Sequence, residues 1–386
     1  MEFSLNSCKT DCMHIQIKQF YLAFCLLTLM IPGFNAIALA QQSGPVRLAV
    51  AGIAHGHNGW LLNRKDDAVI QLVGIYEPSK ELAEAMATQY KLDKSLFYTD
   101  LGAMLNKVKP DGVLGFGPTN SHLGVVEACA PKGIPVMVEK PLTTTAAEAA
   151  KMLALSKKYN TLVLTNFETS WYPVTDKAYQ LASDTSFMGI IRKVVVHDGH
   201  MGPKEIGVQP WFFDWLTDPV GNGGGGALMD FGCYGANLMT YLMKGELPQT
   251  VTCVTQTLKP AIYPKVDDEA TIILTYPTAQ CIIQASWSWP YHRKDMEVYG
   301  EAGYAITSTN KDMRIKGRNT PEQVLVLKPE DTKTYTDPFL YFADVIRKKI
   351  SVPAYGLYSL ETNIIVARIL EAAKQSAKTG KTIQLK

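Results

Sequence analysis

No stretch of this 386-residue chain concentrates basic charge, and the formal net charge is only +2. Nothing in it supplies the positive stripe that nucleic acid requires. Cys-x-x-Cys pairs are absent too. Of seven cysteines, Cys8, Cys12 and Cys25 fall near the N-terminus, and Cys129, Cys233, Cys253 and Cys281 lack metal-ligand spacing or matching histidines. No metal site is therefore expected. The apolar neighbours of these four cysteines favour free buried thiols. Charged residues make up 19% and hydrophobic residues 47% of the chain, the composition of a folded protein rather than a disordered one. The length exceeds one ordinary core and predicts two domains.

The first 40 residues read as a leader. Lys18 precedes an apolar segment, Phe20 to Met30; Ile31-Pro32-Gly33 breaks it, and Ala38-Leu39-Ala40 forms an A-x-A site before Gln41. This pattern predicts a secretory signal peptide over 1–40 and a periplasmic mature protein. The apolar segment is shorter than the about 20 residues a membrane span needs, so no membrane anchor is expected after cleavage. No Arg-Arg pair marks a twin-arginine signal.

Beyond the leader, strands and helices alternate. Val46 to Ala51 reads as a strand and runs into Gly52-Ile53-Ala54-His55-Gly56-His57-Asn58-Gly59, followed by the helix start Trp60-Leu61-Leu62. Strand, small-residue turn and helix is the context in which backbone N–H groups reach a pyrophosphate. A second strand, Ile70 to Tyr76, ends in Glu77, 25 positions after Gly52. A carboxylate there suits the adenosine ribose hydroxyls and repels a 2′-phosphate, favouring NAD over NADP. Further strands are expected at Leu96 to Thr99, Asp111 to Phe116, Val136 to Glu139 and Thr161 to Thr165. Helices lie between them, one opened by a capping box, Thr145-x-x-Glu148. The fold class is thus α/β, with an N-terminal doubly wound parallel sheet over 45–166.

The run Val136 to Val138 ends abruptly in Glu139-Lys140-Pro141-Leu142. Open α/β sheets bind ligands outside the carboxyl ends of their strands, so Lys140 is a candidate for chemistry rather than a solvated charge. After Ser170 to Ala182, expected to be helical, the strands lengthen: Ile190 to Val196, Thr250 to Thr257, Glu269 to Tyr276, Gln280 to Trp287 and Asp295 to Tyr299. They predict an α+β domain over 167–355 with a large, mostly antiparallel open sheet. Such a sheet needs a partner, and a homo-oligomer is expected through it. A final helix, Leu360 to Ala377, is expected to return within 356–386 to the first domain.

Three separated motifs resemble the Gfo/Idh/MocA oxidoreductases, the family of glucose–fructose oxidoreductase and inositol dehydrogenase. They are Pro118-Thr119-Asn120-Ser121-His122, Glu139-Lys140-Pro141, and the run from Gly224 to Tyr234 that contains Asp230. The resemblance implies an NAD(P)-binding first domain, a substrate pocket in the second, and Lys140 beside the nicotinamide. It carries Asp230 and Tyr234 over as catalytic partners, Tyr234 standing where inositol dehydrogenases usually have histidine. Cofactor contacts are expected from Gly52, Ala54, His55, Gly56, His57, Glu77, Pro118, Asn120, His122, Glu139 and Lys140. The sequence departs from the family's G-x-G-x-x-G/A turn, with Ala54 in the second glycine position and His57 in the third. Trp171, His200 and Trp211, with Trp215 and His292, are candidates to touch a carbohydrate. Three activities stay open: oxidation of a sugar or polyol by tightly bound NAD, glycoside cleavage through transient oxidation and elimination, and non-catalytic sugar sensing.

Overall fold

The computed structural model describes residues 44–64 and 67–385, so the expected leader lies outside the described residues. Six parallel strands form the first sheet: β1 (Val46–Ala51), β2 (Ile70–Tyr76), β3 (Phe97–Tyr98), β4 (Gly112–Gly115), β5 (Val136–Glu139) and β6 (Val163–Asn166). Their order is β3-β2-β1-β4-β5-β6, which places the switch point between β1 and β4. Side chains of β1 alternate between two buried clusters, Leu48 and Val50 in one, Ala49 and Ala51 in the other. Both faces are therefore covered, as an all-parallel sheet requires. Three of its helices start on side-chain caps: Ser79 accepts the N–H of Leu82, Asp100 that of Ala103, and Thr145 that of Glu148. The Glu148 carboxylate also takes the hydroxyls of Thr143 and Thr144.

The second sheet has nine strands. β7 (Ile191–Gly199), β8 (Thr250–Gln256), β9 (Glu269–Thr275), β10 (Gln280–Ser286) and β11 (Arg293–Gly300) match the long alternating runs in the sequence. β12 (Gly303–Thr307), β13 (Asp312–Gly317), β14 (Gln323–Val326) and β15 (Ile383–Gln384) extend its edges. The order is β14-β13-β12-β11-β7-β10-β9-β8-β15, antiparallel except for the β7–β10 pair. On the buried face, Val251, Cys253, Ala270, Ile272, Leu274, Cys281 and Ile283 join the core. The helix Gly232–Leu242 packs on this face through β7 and β10.

Two C-terminal helices tie the halves together. Pro338–Ile346 packs on the first sheet, with Phe342 and Ile346 filling the space beside Gly112. Leu360–Thr379 lies against β8, against Gly232–Leu242 and against the first sheet's helix Ala146–Tyr159. Its Lys374 ammonium donates to the carbonyls of Thr144 and Gly223, at 2.9 and 2.7 Å. The four cysteines Cys129, Cys233, Cys253 and Cys281 are buried free thiols.

Candidate active site

The ends of β1, β2, β4 and β5 meet in one crevice. Gly52 has φ +77°, and a Cβ there would fall 2.6 Å from the Gly117 Cα. Only glycine permits both the left-handed backbone and that approach. Glu77 is buried at the end of β2, where its carboxylate accepts the N–H groups of Ile53 (3.1 Å) and Ser79 (3.0 Å). Burial pushes its pKa up.

Ala54 and His57, the two departures from the glycine pattern, have definite roles. The Ala54 carbonyl accepts the Trp215 indole N–H at 3.4 Å. His55 is buried and its Nδ1 accepts the N–H of His57 at 3.2 Å. The neutral ring therefore carries its proton on Nε2, an atom without a hydrogen bond among the described residues, with Glu139 Oε2 4.0 Å away. The Phe212 ring lies 4.9 Å from the His55 ring, centroid to centroid, and is the nearest group facing Gly56. Phe212 and Trp215 belong to the helix Pro210–Leu216 of the second half, which thus lies over the turn. His57 stacks on Trp60 at 3.8 Å and meets Glu139 Oε2 through Nδ1 at 3.0 Å. His55, His57 and Glu139 bring ligand-type atoms within 4.8 Å of one another, a grouping no sequence spacing suggested.

At the end of β4, Pro118 leads into a short 3₁₀ turn, Thr119–Ser121. Asn120 has an exposed side chain, and its N–H donates to the Gly221 carbonyl at 3.2 Å. His122 Nδ1 lies 3.1 Å from the Leu142 carbonyl, and its Nε2 is buried without a partner, as is Thr119 Oγ1.

Glu139 and Lys140 point to different partners. Glu139 Oε1 accepts Asn166 Nδ2 at 2.7 Å, and Asn166 Oδ1 accepts the Trp171 indole at 2.8 Å. Burial opposes ionisation of Glu139, but His57, His55 and the hydrogen bonds outweigh it and hold the carboxyl at about 2. Lys140 Nζ donates to Asp230 Oδ1 and, at 3.2 Å, to the Asp230 carbonyl. Trp287 Nε1 donates to the other Asp230 oxygen at 3.0 Å. Burial disfavours both charges, yet their mutual attraction and hydrogen bond prevail: Lys140 is raised and Asp230 lowered.

Tyr234, in the first turn of Gly232–Leu242, has its ring centroid 5.3 Å from Lys140 Nζ. Burial raises its pKa well above the ordinary tyrosine value. His200 packs edge-on against Phe231 at 4.8 Å and stacks toward His292 at 6.3 Å. Its Nδ1 accepts the Gly202 N–H at 2.9 Å. Burial lowers it to about 4, so near neutral pH it presents a neutral Nε2–H. Lys140, Asp230 and Tyr234 thus share one buried cluster, and the half-buried His200 adjoins it through Phe231.

Residues 46–167 match the NAD-binding Rossmann fold of the Gfo/Idh/MocA oxidoreductases, and residues 182–306 match that family's C-terminal domain. The chain belongs to the Gfo/Idh/MocA family. It is 29% identical over 131 residues to trans-1,2-dihydrobenzene-1,2-diol dehydrogenase of Xenopus tropicalis, covering 34% of this chain and 36% of that protein. The match thus spans about a third of that relative's length. D-xylose 1-dehydrogenase (NADP(+)) 2 of Haloferax volcanii is 22% identical over 315 residues, 80% of this chain and 90% of that one. Among solved structures, the inositol dehydrogenase homolog of Azotobacter vinelandii with NAD+ has TM-score 0.76 at 19% identity, covering 88% of this chain and 97% of that one. The aldose-aldose oxidoreductase of Caulobacter crescentus with glycerol has TM-score 0.73 at 22% identity, covering 88% and 100%. At these identities the two structures establish the shared fold.

The crevice of this Gfo/Idh/MocA protein fits a dinucleotide. Three orphaned buried polar atoms, His55 Nε2, Thr119 Oγ1 and His122 Nε2, sit in the turns after β1 and β4. Such atoms are costly unless something satisfies them.

Trp171 stacks on Tyr358 at 4.5 Å, its indole N–H holds Asn166, and it lines a cavity of about 490 Å³ with Trp60, Arg64 and Glu168. It positions Glu139 through Asn166. Trp211 lines a recess with Gly56, Asn58, Met86, Tyr90 and Phe212, which puts it beside the turn rather than with Lys140. Sequence reasoning also missed residues in the cluster. Lys294 donates to Glu168 and lies 3.4 Å from the Tyr234 hydroxyl, while Asp198 is buried with neither oxygen partnered. A signal existed. Asp198 shares the parity of Val194 and Val196 on β7, and Lys294 that of Met296 and Val298 on β11, all four apolar residues being buried. A charge on a core-facing register is a functional candidate.

Proposed function

We propose that this protein is an exported oxidoreductase that keeps one NAD bound and moves hydride between it and a carbinol carbon of a sugar or polyol, giving a keto-sugar. The observation that carries this reading is the buried cluster of Lys140, Asp230 and Tyr234, with His200 adjoining it through Phe231, beside a crevice that fits a dinucleotide. When bound, NAD supplies the hydride acceptor.

The turn residues Gly52 to His57, Glu77 and His122 would hold the dinucleotide. Glu77 carries the preference for NAD, because a 2′-phosphate would meet its carboxylate. Lys140, fixed as an ammonium by Asp230, is a hydrogen-bond donor rather than a base. With the neutral His200 Nε2–H and the Tyr234 hydroxyl it offers three donors where negative charge develops on the substrate oxygen. Trp287 fixes Asp230, and Asp230 fixes Lys140, so the donors are oriented before substrate arrives. The helix carrying Phe212 and Trp215 lies over the turn and excludes water from it.

Export is inferred from the leader pattern of residues 1–40. Outside the cytoplasm free NAD is scarce, so the cofactor would be recycled in place. The outward residues of the second sheet, such as Thr271, Ile273 and Ile282, are half-exposed along an open face, which supports a homo-oligomer formed through it. Mass spectrometry of products from a panel of sugars and glycosides tests the reading. A product two hydrogens lighter than its substrate supports it, and release of the aglycone supports glycoside cleavage instead.

A further inference from the structure

Lys140 is a committed ammonium and Tyr234 a protonated phenol, so a path is needed for the proton that accompanies hydride.

A second buried cation stands behind Tyr234. Lys294 Nζ lies 3.4 Å from the Tyr234 hydroxyl oxygen and 4.5 Å from its ring centroid, on β11. Glu168 pairs with it, and the other Glu168 oxygen accepts the Tyr172 hydroxyl. Directly across the sheet, Lys294 pairs in register with Asp198 of β7. The Asp198 side chain is 1% exposed and neither carboxyl oxygen has a partner. Asp198, Lys294, Tyr172 and Thr169 border a small, partly open space of about 10 Å³, and Thr169 Oγ1 is also unpartnered. That volume is about one water, and the orphaned groups are the partners a water needs. Burial raises the pKa of Asp198 well above the carboxylate range despite the opposing charge of Lys294. With Lys294 and Lys140 against Glu168 and Asp230, the buried charges then balance.

Resting on the oxidoreductase reading, we propose that Tyr234, Lys294 and Asp198 form a proton relay, with Lys294 and Asp198 as positioning residues that act through the Tyr234 hydroxyl. In the direction of carbonyl reduction, Tyr234 gives its proton to the substrate oxygen as hydride reaches the carbon. The Tyr234 O–H bond breaks, and an N–H proton of Lys294 restores it. Lys294, left as an amine, recovers a proton from the Asp198 carboxyl through one water in the space they both border. Asp198 ends as a carboxylate and is reprotonated from solvent between turnovers. Oxidation of an alcohol runs the same transfers backwards, one proton moving outward for each hydride taken. An unpartnered acid in a core is costly, and the relay gives that cost a purpose.

The test uses full-length mature protein with tyrosine labelled with ¹³C at Cζ, the Tyr234 signal being the one lost in Tyr234→Phe. Lys294→Met is expected to shift that signal, with or without cofactor and substrate, because the ammonium beside the hydroxyl is gone. In turnover, Lys294→Met and Asp198→Asn are each expected to lower kcat by about 10²-fold with KM little changed, the scale of general acid–base help. Asp198→Val keeps the shape and removes the orphaned oxygens, so it should raise the melting temperature while lowering kcat. That opposition distinguishes a relay from a structural role. If Lys294→Met unfolds, Lys294→Arg replaces it, retaining a cation that does not surrender a proton; the same loss of kcat is expected. An unmoved Tyr234 signal in Lys294→Met, or normal kcat in Asp198→Asn, overturns the relay. Failure of the wild-type protein to oxidise or reduce any sugar overturns the oxidoreductase reading instead, and the signal shift is read independently of it.

Discussion

Replacing Lys140 with methionine should destabilise the fold as well as stop turnover. An ammonium at a strand end, read from sequence, looks expendable to packing. In the structure the Lys140 side chain is 6% exposed and its partner Asp230 equally buried. Methionine fills the volume of the stem but leaves the Asp230 carboxylate with only the Trp287 indole as a side-chain partner. Removing one member of a buried ion pair typically costs about 3–5 kcal/mol. Asp230 can limit that loss by taking up a proton, since burial unopposed by Lys140 raises its pKa. The sign follows. In the wild type Asp230 is lowered in the folded state, so its contribution is present above the unfolded carboxyl pKa and lost as pH falls through the folded value. In Lys140→Met the folded pKa exceeds the unfolded one, so the contribution of Asp230 is fully present below its unfolded value of about 4 and is lost as pH rises through the folded value. Urea denaturation of wild type, Lys140→Met, Asp230→Asn and the double variant forms a double-mutant cycle. The double variant should be more stable than the sum of the singles predicts, by about 2–3 kcal/mol, and the Lys140→Met deficit should shrink at low pH. Additive losses, or a Lys140→Met protein as stable as wild type at pH 7, would refute the pair's role.

Other outcomes follow from the same geometry. Gly52→Ala should abolish dinucleotide binding and cost about 2–4 kcal/mol, combining left-handed strain with overpacking against Gly117; equilibrium dialysis and denaturation check the two separately. Glu77→Ala should erase discrimination between NAD and NADP, measured as the ratio of their dissociation constants; an unchanged ratio would mean that the acid serves only the Ile53 and Ser79 N–H groups. Phe212→Ala should speed loss of bound dinucleotide in a chase experiment, because that ring faces Gly56 and His55. His200 is lowered by burial to about 4, so its contribution to stability is present above the unfolded value near 6.5 and lost as pH falls toward 4. The melting temperature should decline over that window, and less steeply in His200→Gln.

Much of this was legible in the chain because local pattern and tertiary role agree. The turn at Gly52, the run ending in Glu139-Lys140 and the cap at Thr145 each lie where strand period and turn chemistry put them. The edge strands β12 to β15 escaped notice: β15 has two residues and β14 is mostly exposed, so neither shows a buried alternation. Trp171 and Trp211 could not be assigned from sequence, since an aromatic ring in a loop carries no mark of what it faces. Asp198 and Lys294 were legible only with the register of β7 against β11, which makes them opposite neighbours on a buried face. The pairing of His57 with Glu139 spans 82 residues and depends on the sheet order, which pattern alone does not provide.

Dinucleotide retention and reduction in one sample tests the central claim most directly. Mature protein isolated from its native compartment and dialysed extensively would be denatured in part to count released NAD(H), and in part mixed with candidate sugars while nicotinamide absorbance is followed. The account predicts about one dinucleotide per chain, reduced in a single turnover by a sugar that emerges as its keto form, and in Tyr234→Phe the same dinucleotide content with much slower reduction. Protein free of dinucleotide, binding NAD only at high micromolar concentration and leaving every sugar unoxidised, would contradict it.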